Sequence, residues 1–219
     1  PDTVTVIGKQ AFYNCDNLES VIISDSVDEI DGSAFAGCTS LESIVMPNSV
    51  TWVGGYAFSN CTSLSSVTLS KSLEYLGVQA FGYCKSLTSI EIPRSLNNTY
   101  NLNDMYSHIG GPFTGCSSLT DVKFEEDTTK IVAYLFDSCE GIVNIVIPDT
   151  VTVIGKQAFY DCDNLESVVI PLSVTSVENQ AFNGCSALKS AEFKNPNTKI
   201  GERVFSNCSS LASVKLPEN

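Results

Sequence analysis

Cys15, Cys38, Cys61, Cys84, Cys116, Cys139, Cys162, Cys185 and Cys208 recur every 23 residues except once, where Cys84 and Cys116 stand 32 apart. A constant period of that size is the mark of a solenoid, in which each unit is one coil of chain and packs only on its neighbours. The stretch from Pro148 to Ile170, PDTVTVIGKQAFYDCDNLESVVI, is the clearest unit. It matches residues 1–23 at all but two positions, Asn14 against Asp161 and Ile22 against Val169, which points to growth by duplication of blocks.

Alignment on cysteine resolves each unit into columns. An aliphatic comes first, at Ile7, Ile30, Val53, Leu76, Ile131, Ile154, Val177 and Ile200. Glycine often follows it, at Gly8, Gly54, Gly77, Gly155 and Gly201, with Asp31 and Glu178 as exceptions. Its preference there predicts a turn with positive φ. Three residues before each cysteine stands a phenylalanine, from Phe12 and Phe35 to Phe182 and Phe205. A pair at i and i+3 shares one face of a helical turn, so both side chains are expected inward. Leucine follows three residues after cysteine, with Ile142 in one unit, and then comes strand-like alternation with inward pairs such as Ile44 and Met46 or Val168 and Ile170. Proline closes the strand at Pro47, Pro93, Pro148, Pro171 and Pro217, because it cannot donate to a ladder.

With one strand per coil, the strands stack as a parallel sheet and the aromatic, thiol and leucine columns form a continuous core. The cysteines then behave as small buried hydrophobes, although neighbouring coils about 5 Å apart also lie within disulfide reach. Residues 1–219 are expected to form a single solenoid domain. Both ends read like internal units, which is the pattern of a fragment of a longer protein.

The pattern LxxVxIPxxVxxIGxxAFxxC, in rotated form, resembles the BspA-like leucine-rich repeat family, whose units have the same length. The resemblance covers essentially the whole chain; Pro112, Leu135 and Val204 depart from Ala before Phe, and an insertion interrupts the array near residue 100. It implies an α/β repeat solenoid of nine coils, with a parallel β-sheet on the concave face and turns or short helical segments on the convex face. It also implies a cell-surface or secreted protein associated with adhesion to host matrix proteins or to other cells.

The chemistry available is sparse. Twelve basic against 25 acidic residues give a formal charge of −13, and Lys and Arg are scattered singly, which excludes nucleic acid and anionic lipid as partners. No run of about 18 apolar residues is present to span a bilayer. His108 is the only histidine, so a nucleophile-histidine pair would have to use it, and the interior cysteines are poor partners for it. Metal, dinucleotide and P-loop spacings are absent, and the run Glu125-Glu126-Asp127 reads as solvated surface. The chain is therefore expected to be no enzyme and to need no cofactor. Sequons occur at Asn60, Asn97 and Asn207, of which only Asn97 lies in an obvious loop.

Two features are left for binding. The outward residue between each inward pair is Ile22, Val45, Thr68, Glu91, Lys123, Val146, Val169, Glu192 and Lys215. Polar residues are normal on a wetted face, so the adjacent pairs Ile22 with Val45 and Val146 with Val169 are candidate contacts. The second feature is the insertion at about residues 97–106, NNTYNLNDMY, which presents Tyr100, Met105 and Tyr106 among asparagines. Repeat insertions map to loops on one face, and aromatics supply contact area at low entropic cost. The expectation is a recognition module for a protein or glycan, with a structural spacer as the rival reading.

Overall fold

The computed structural model describes residues 3–99 and 110–217. Each coil carries two strand positions where sequence reasoning expected one. A long ladder runs through Ser43–Val45, Ser66–Thr68, Ser89–Ile92, Asp121–Phe124, Ser167–Ile170, Ser190–Phe193 and Ser213–Lys215, hydrogen-bonded as successive sheets of two, two and three strands. A short ladder stacks Val6–Ile7, Glu29–Ile30, Trp52–Val53, Tyr75–Leu76, Lys130–Ile131, Val153–Ile154, Ser176–Val177 and Lys199–Ile200. All pairings are parallel and shifted by one repeat, so Val6 faces Glu29, Glu29 faces Trp52 and Ser167 faces Ser190. Across the insertion Ser89 faces Asp121 and Ile90 faces Val122. The register thus resumes unshifted past the extra residues.

The columns read from sequence become stacks of like on like. Successive Phe rings from Phe12 to Phe205 lie face to face, with centroid separations between 5.0 Å at Phe12–Phe35 and 5.7 Å at Phe182–Phe205. Cys38, Cys61, Cys84, Cys116, Cys139, Cys162 and Cys185 are buried, and Cys15 and Cys208 are half-buried; none is paired. In seven coils the thiol donates to the carbonyl of the phenylalanine one coil back, as Cys61 Sγ does to Phe35 O at 3.2 Å and Cys84 Sγ to Phe58 O at 3.2 Å. Burial pushes the Cys61 and Cys116 thiols up to about 12, so they stay protonated at neutral pH. The aliphatic three residues after proline in the repeat pattern is a further inward column: Val27, Val50, Leu73, Leu96, Val151 and Val174 are buried after the strand. In four of these coils the proline carbonyl accepts the amide three residues on, as Pro47 O does from Val50 N at 3.0 Å, which turns the chain inward.

The expected α/β character and helical segments are not found. Among the described residues there is no helix. The segment before each cysteine is a run of turns, and its hydrogen bonds show why. In the second coil Ser33, Phe35 and Gly37 N donate to Gly55, Ala57 and Ser59 O of the next coil, at 3.0, 2.7 and 2.8 Å. The alternating amides of Ala34, Ala36 and Cys38 close short turns on Asp31, Ser33 and Phe35 at 3.2 Å. Half of the amides are thus committed to the neighbouring coil, and an α-helix would need all of them within the segment. Left-handed residues enforce this geometry. The residue before every cysteine has positive φ, from Asn14 at 55° to Asn207 at 61°, and so does the residue five before it in eight coils. Phe and Cys still both point inward, through turns.

The glycines after the aliphatic column also serve a different purpose from the one expected. Gly54, Gly77, Gly155 and Gly201 are not among the positive-φ residues. They are needed for close approach: a Cβ on Gly77 would lie 2.4 Å from Gly55 N, and one on Gly155 2.6 Å from Ala133 N. In the exceptional coils the acidic side chain caps an amide instead, Asp31 Oδ1 accepting from Gly32 N at 2.5 Å and Glu178 Oε2 from Lys156 N at 2.8 Å.

Inward strand residues are buried or half-buried except in the last described coil, where Val214 and Leu216 are exposed because no described coil covers them. Phe81 lies between Phe58 at 5.2 Å and Phe113 at 5.7 Å and is fully buried. Phe81→Ala should therefore cost about 3–5 kcal/mol, read as a lower urea midpoint, because its neighbours cannot collapse without breaking the stack.

Candidate functional site

The alternation that buries Ile44 and Met46 sets Val45 outward, and the same rule builds an outer column along the long ladder. Its four apolar members stand out into solvent: Ile22 is 98% exposed, Val45 64%, Val146 80% and Val169 48%. Thr68, Glu91 and Lys123, between the two pairs, are also exposed. Val45 and Thr68 pair in register, and the Asn144–Ser167 bridge sets Val146 beside Val169 on successive coils. The structure thus brings Val146 and Val169 together and keeps them apart from Ile22 and Val45, which occupy the same column on the first two coils.

Val146 and Val169 line an open groove of about 590 Å³, whose walls include Ile147, Pro171, Leu172 and Lys194. Leu172, at 68% exposure, enlarges the apolar surface. It follows the proline that ends the strand, so strand alternation alone did not flag it; an aliphatic in a turn position otherwise held by polar residues was the available signal. Beside the groove Glu192 accepts hydrogen bonds and charge from Lys194 at 2.8 Å and Lys215 at 2.7 Å, which holds its carboxyl down at about 2.

The short ladder offers a second feature that sequence reading missed. Trp52 stacks on Tyr75 with ring centroids 3.7 Å apart, and Trp52 remains partly exposed. Both occupy outward positions of two-residue strands, which are too short to show alternation, so the only signal was a lone tryptophan next to the aliphatic column.

Tyr100, Met105 and Tyr106, together with His108, lie outside the described residues. At the base of the insertion Asn98 bridges Tyr75, and the buried Thr99 donates its hydroxyl to Ala133 O. On the far side Gly111 N donates to Asp137 O at 3.1 Å. The acidic run is drawn toward a cation of the protein itself: Glu125 accepts from Arg94 N at 3.0 Å, and Asp127 lies 3.8 Å from the Arg94 guanidinium. Among the described residues no group of His, Cys, Asp and Glu is arranged to hold a metal ion. No helix of the described residues is long and apolar enough to cross a membrane.

A family model for the BspA type leucine rich repeat region matches residues 1–105 and 111–219, in six copies. The chain belongs to that family. The matched model is of a repeat region, not of a catalytic family. Two solved structures of leucine-rich repeat proteins share its fold. One is a leucine rich cell surface protein of Faecalibacterium prausnitzii, 27% identical, with a TM-score of 0.50 over 99% of this chain and 70% of that one. The other is the leucine rich repeat protein of T. pallidum, 29% identical, with a TM-score of 0.52 over 85% of this chain and 72% of that one. No curated protein matches it in sequence.

In this leucine-rich repeat chain the charges beside the Val146 groove are already spoken for, and that can be measured. Replacing Lys194 and Lys215 by Met should return the Glu192 carboxyl upward toward the ordinary carboxylate range, read by carbon-detected NMR titration.

Proposed function

We propose that the chain is a non-catalytic recognition module, displayed at a cell surface or secreted, that binds a protein or glycan partner through the long-ladder face and the insertion loop. Host extracellular matrix is the leading partner class, as the family resemblance implies. Ile22, Val45, Val146 and Val169 are the proposed contacts on the sheet, and Tyr100, Met105 and Tyr106 those on the loop. The observation that carries the reading is the Val146–Val169–Leu172 surface, an apolar groove on a face whose other outward residues are mostly polar or charged. Packed side chains fill the interior, so the outside is where a partner can act. The cell-surface description of the Faecalibacterium relative supports the proposed location.

The rival reading is a spacer that holds another domain away from the cell. It is favoured by the unbroken core and by a ladder that resumes in register past the insertion. Binding of the purified chain to immobilised matrix proteins and to cells separates the two. Val146→Asp with Val169→Asp should abolish binding and leave the thermal midpoint within a few degrees, since both side chains point into solvent. Retained binding removes this face from the function. Deletion of residues 97–106 without any change in adhesion, together with no loss in the double variant, favours the spacer.

A further inference from the structure

The two apolar pairs on the outer column differ in the charge around them. Between Gln10 and Ser70 the chain has no lysine or arginine, yet it carries seven aspartates and glutamates. Ile22 and Val45 sit within that stretch. Glu19 and Glu42 stand three residues before them on the same two coils, stacked on each other through Glu42 N and Glu19 O at 3.3 Å, and Asp25 stands three residues after Ile22. All three carboxylates are exposed, and none forms an ion pair among the described residues. The Val146–Val169 pair is surrounded differently. There Glu166 pairs with Lys189 at 3.1 Å, and Glu192 with Lys194 and Lys215 at 2.8 and 2.7 Å.

Three residues of chain span at most about 10 Å, so the carboxylates flank the apolar pair within that distance, Asp25 in the turn that Val27 N closes on Ser24 O at 3.0 Å. That is about one Debye length at 0.1 M salt, close enough for the charges to act on whatever contacts Ile22 and Val45. They are too far from the pair and from one another along the strand to converge on a single metal ion, and no such cluster exists among the described residues. A phosphate-bearing partner would be repelled.

We infer that the Ile22–Val45 surface binds a basic polypeptide segment of a partner protein, with an apolar side chain seated on Ile22 and Val45. Lysine or arginine on either side of that residue would face Glu19 and Glu42 on one flank and Asp25 on the other. This rests on the recognition reading above and adds partner chemistry to one of its two patches. The sign of the segment follows from the unopposed carboxylates, and its anchor from the apolar pair. The unpaired carboxylates steer it, and the two β-branched side chains supply the contact.

The test uses the whole chain and two fluorescent synthetic peptides, read by anisotropy at low and high salt. One carries a Leu-Ile pair flanked by lysines on each side, and the other carries glutamate in place of each lysine. The lysine peptide should bind and weaken as salt rises, and the glutamate peptide should not bind. Glu19→Gln, Glu42→Gln and Asp25→Asn together should weaken binding by roughly tenfold at low salt, as expected for three exposed ion pairs. Ile22→Asn with Val45→Thr should abolish it, and Val146→Asp with Val169→Asp should leave it unchanged. Salt-independent binding, or loss only in the Val146 and Val169 variant, overturns this inference while leaving the recognition reading intact. Equal binding of both peptides, or no binding of the lysine peptide at low salt, also overturns it. The recognition reading itself fails separately, by the matrix and cell assay.

Discussion

One carbonyl in most coils ties the stack together. The phenylalanine C=O turns toward the core, accepts the amide of the cysteine three residues on, and then accepts the thiol of the cysteine one coil further, as Phe35 O does from Cys38 N and Cys61 Sγ. A buried carbonyl has two lone pairs to satisfy, and these two donors meet both. Cysteine suits the place because it is small, tolerates burial better than serine, and still has a proton to give. The rings above and below the same carbonyl pack at 5.0–5.7 Å, a little wider than the roughly 4.8 Å at which strands hydrogen-bond and close enough for both to stack coil on coil. Backbone pairing, ring stacking and thiol donation thus require one spacing between coils. This is why the period survives the insertion between Cys84 and Cys116, where Cys116 Sγ still reaches Phe81 O at 3.1 Å.

The same spacing explains which parts of the fold were legible in the sequence. Columns that repeat one residue type, such as Phe, Cys and Leu, state their burial openly, and the long-ladder alternation follows from β-branched pairs. The turn segment was harder. A Phe and a Cys at i and i+3 fit a helical turn as well as the observed run of turns, and only the amide partners decide between them. The deciding signal was nevertheless present, one residue before cysteine, where seven of the nine coils have Asn, Asp or Gly, residues that tolerate positive φ. The short ladder left no alternation because its strands are two residues long, so Trp52 and Tyr75 went unread as a stacked pair. Glycine after the aliphatic column was correctly marked as constrained but for the wrong reason, since close backbone approach and positive φ favour the same residue.

For the candidate site, the position of the outer column followed from the pleat alone, and the exposure of Ile22, Val45, Val146 and Val169 agrees with it. What the sequence did not state was the company each pair keeps. Lys189 and Lys215 find their carboxylates only when coils stack, because each partner lies one coil away, whereas Lys194 meets Glu192 within its own coil. Leu172 joins Val146 only because a proline turn folds it toward the groove. A repeat scaffold separates the two tasks: the inward columns hold the shape at nearly fixed composition, and the outward columns vary freely in charge and size.

The most direct measurement is native-state thiol labelling with a bulky reagent, resolved residue by residue by mass spectrometry. If the thiols form the interior spine described, only the half-buried Cys15 and Cys208 react in the folded protein. The seven buried cysteines would then label together, at the rate of global unfolding. Rapid modification of Cys84 or Cys139 under native conditions would contradict the account, because no coil could then be stacked through those side chains.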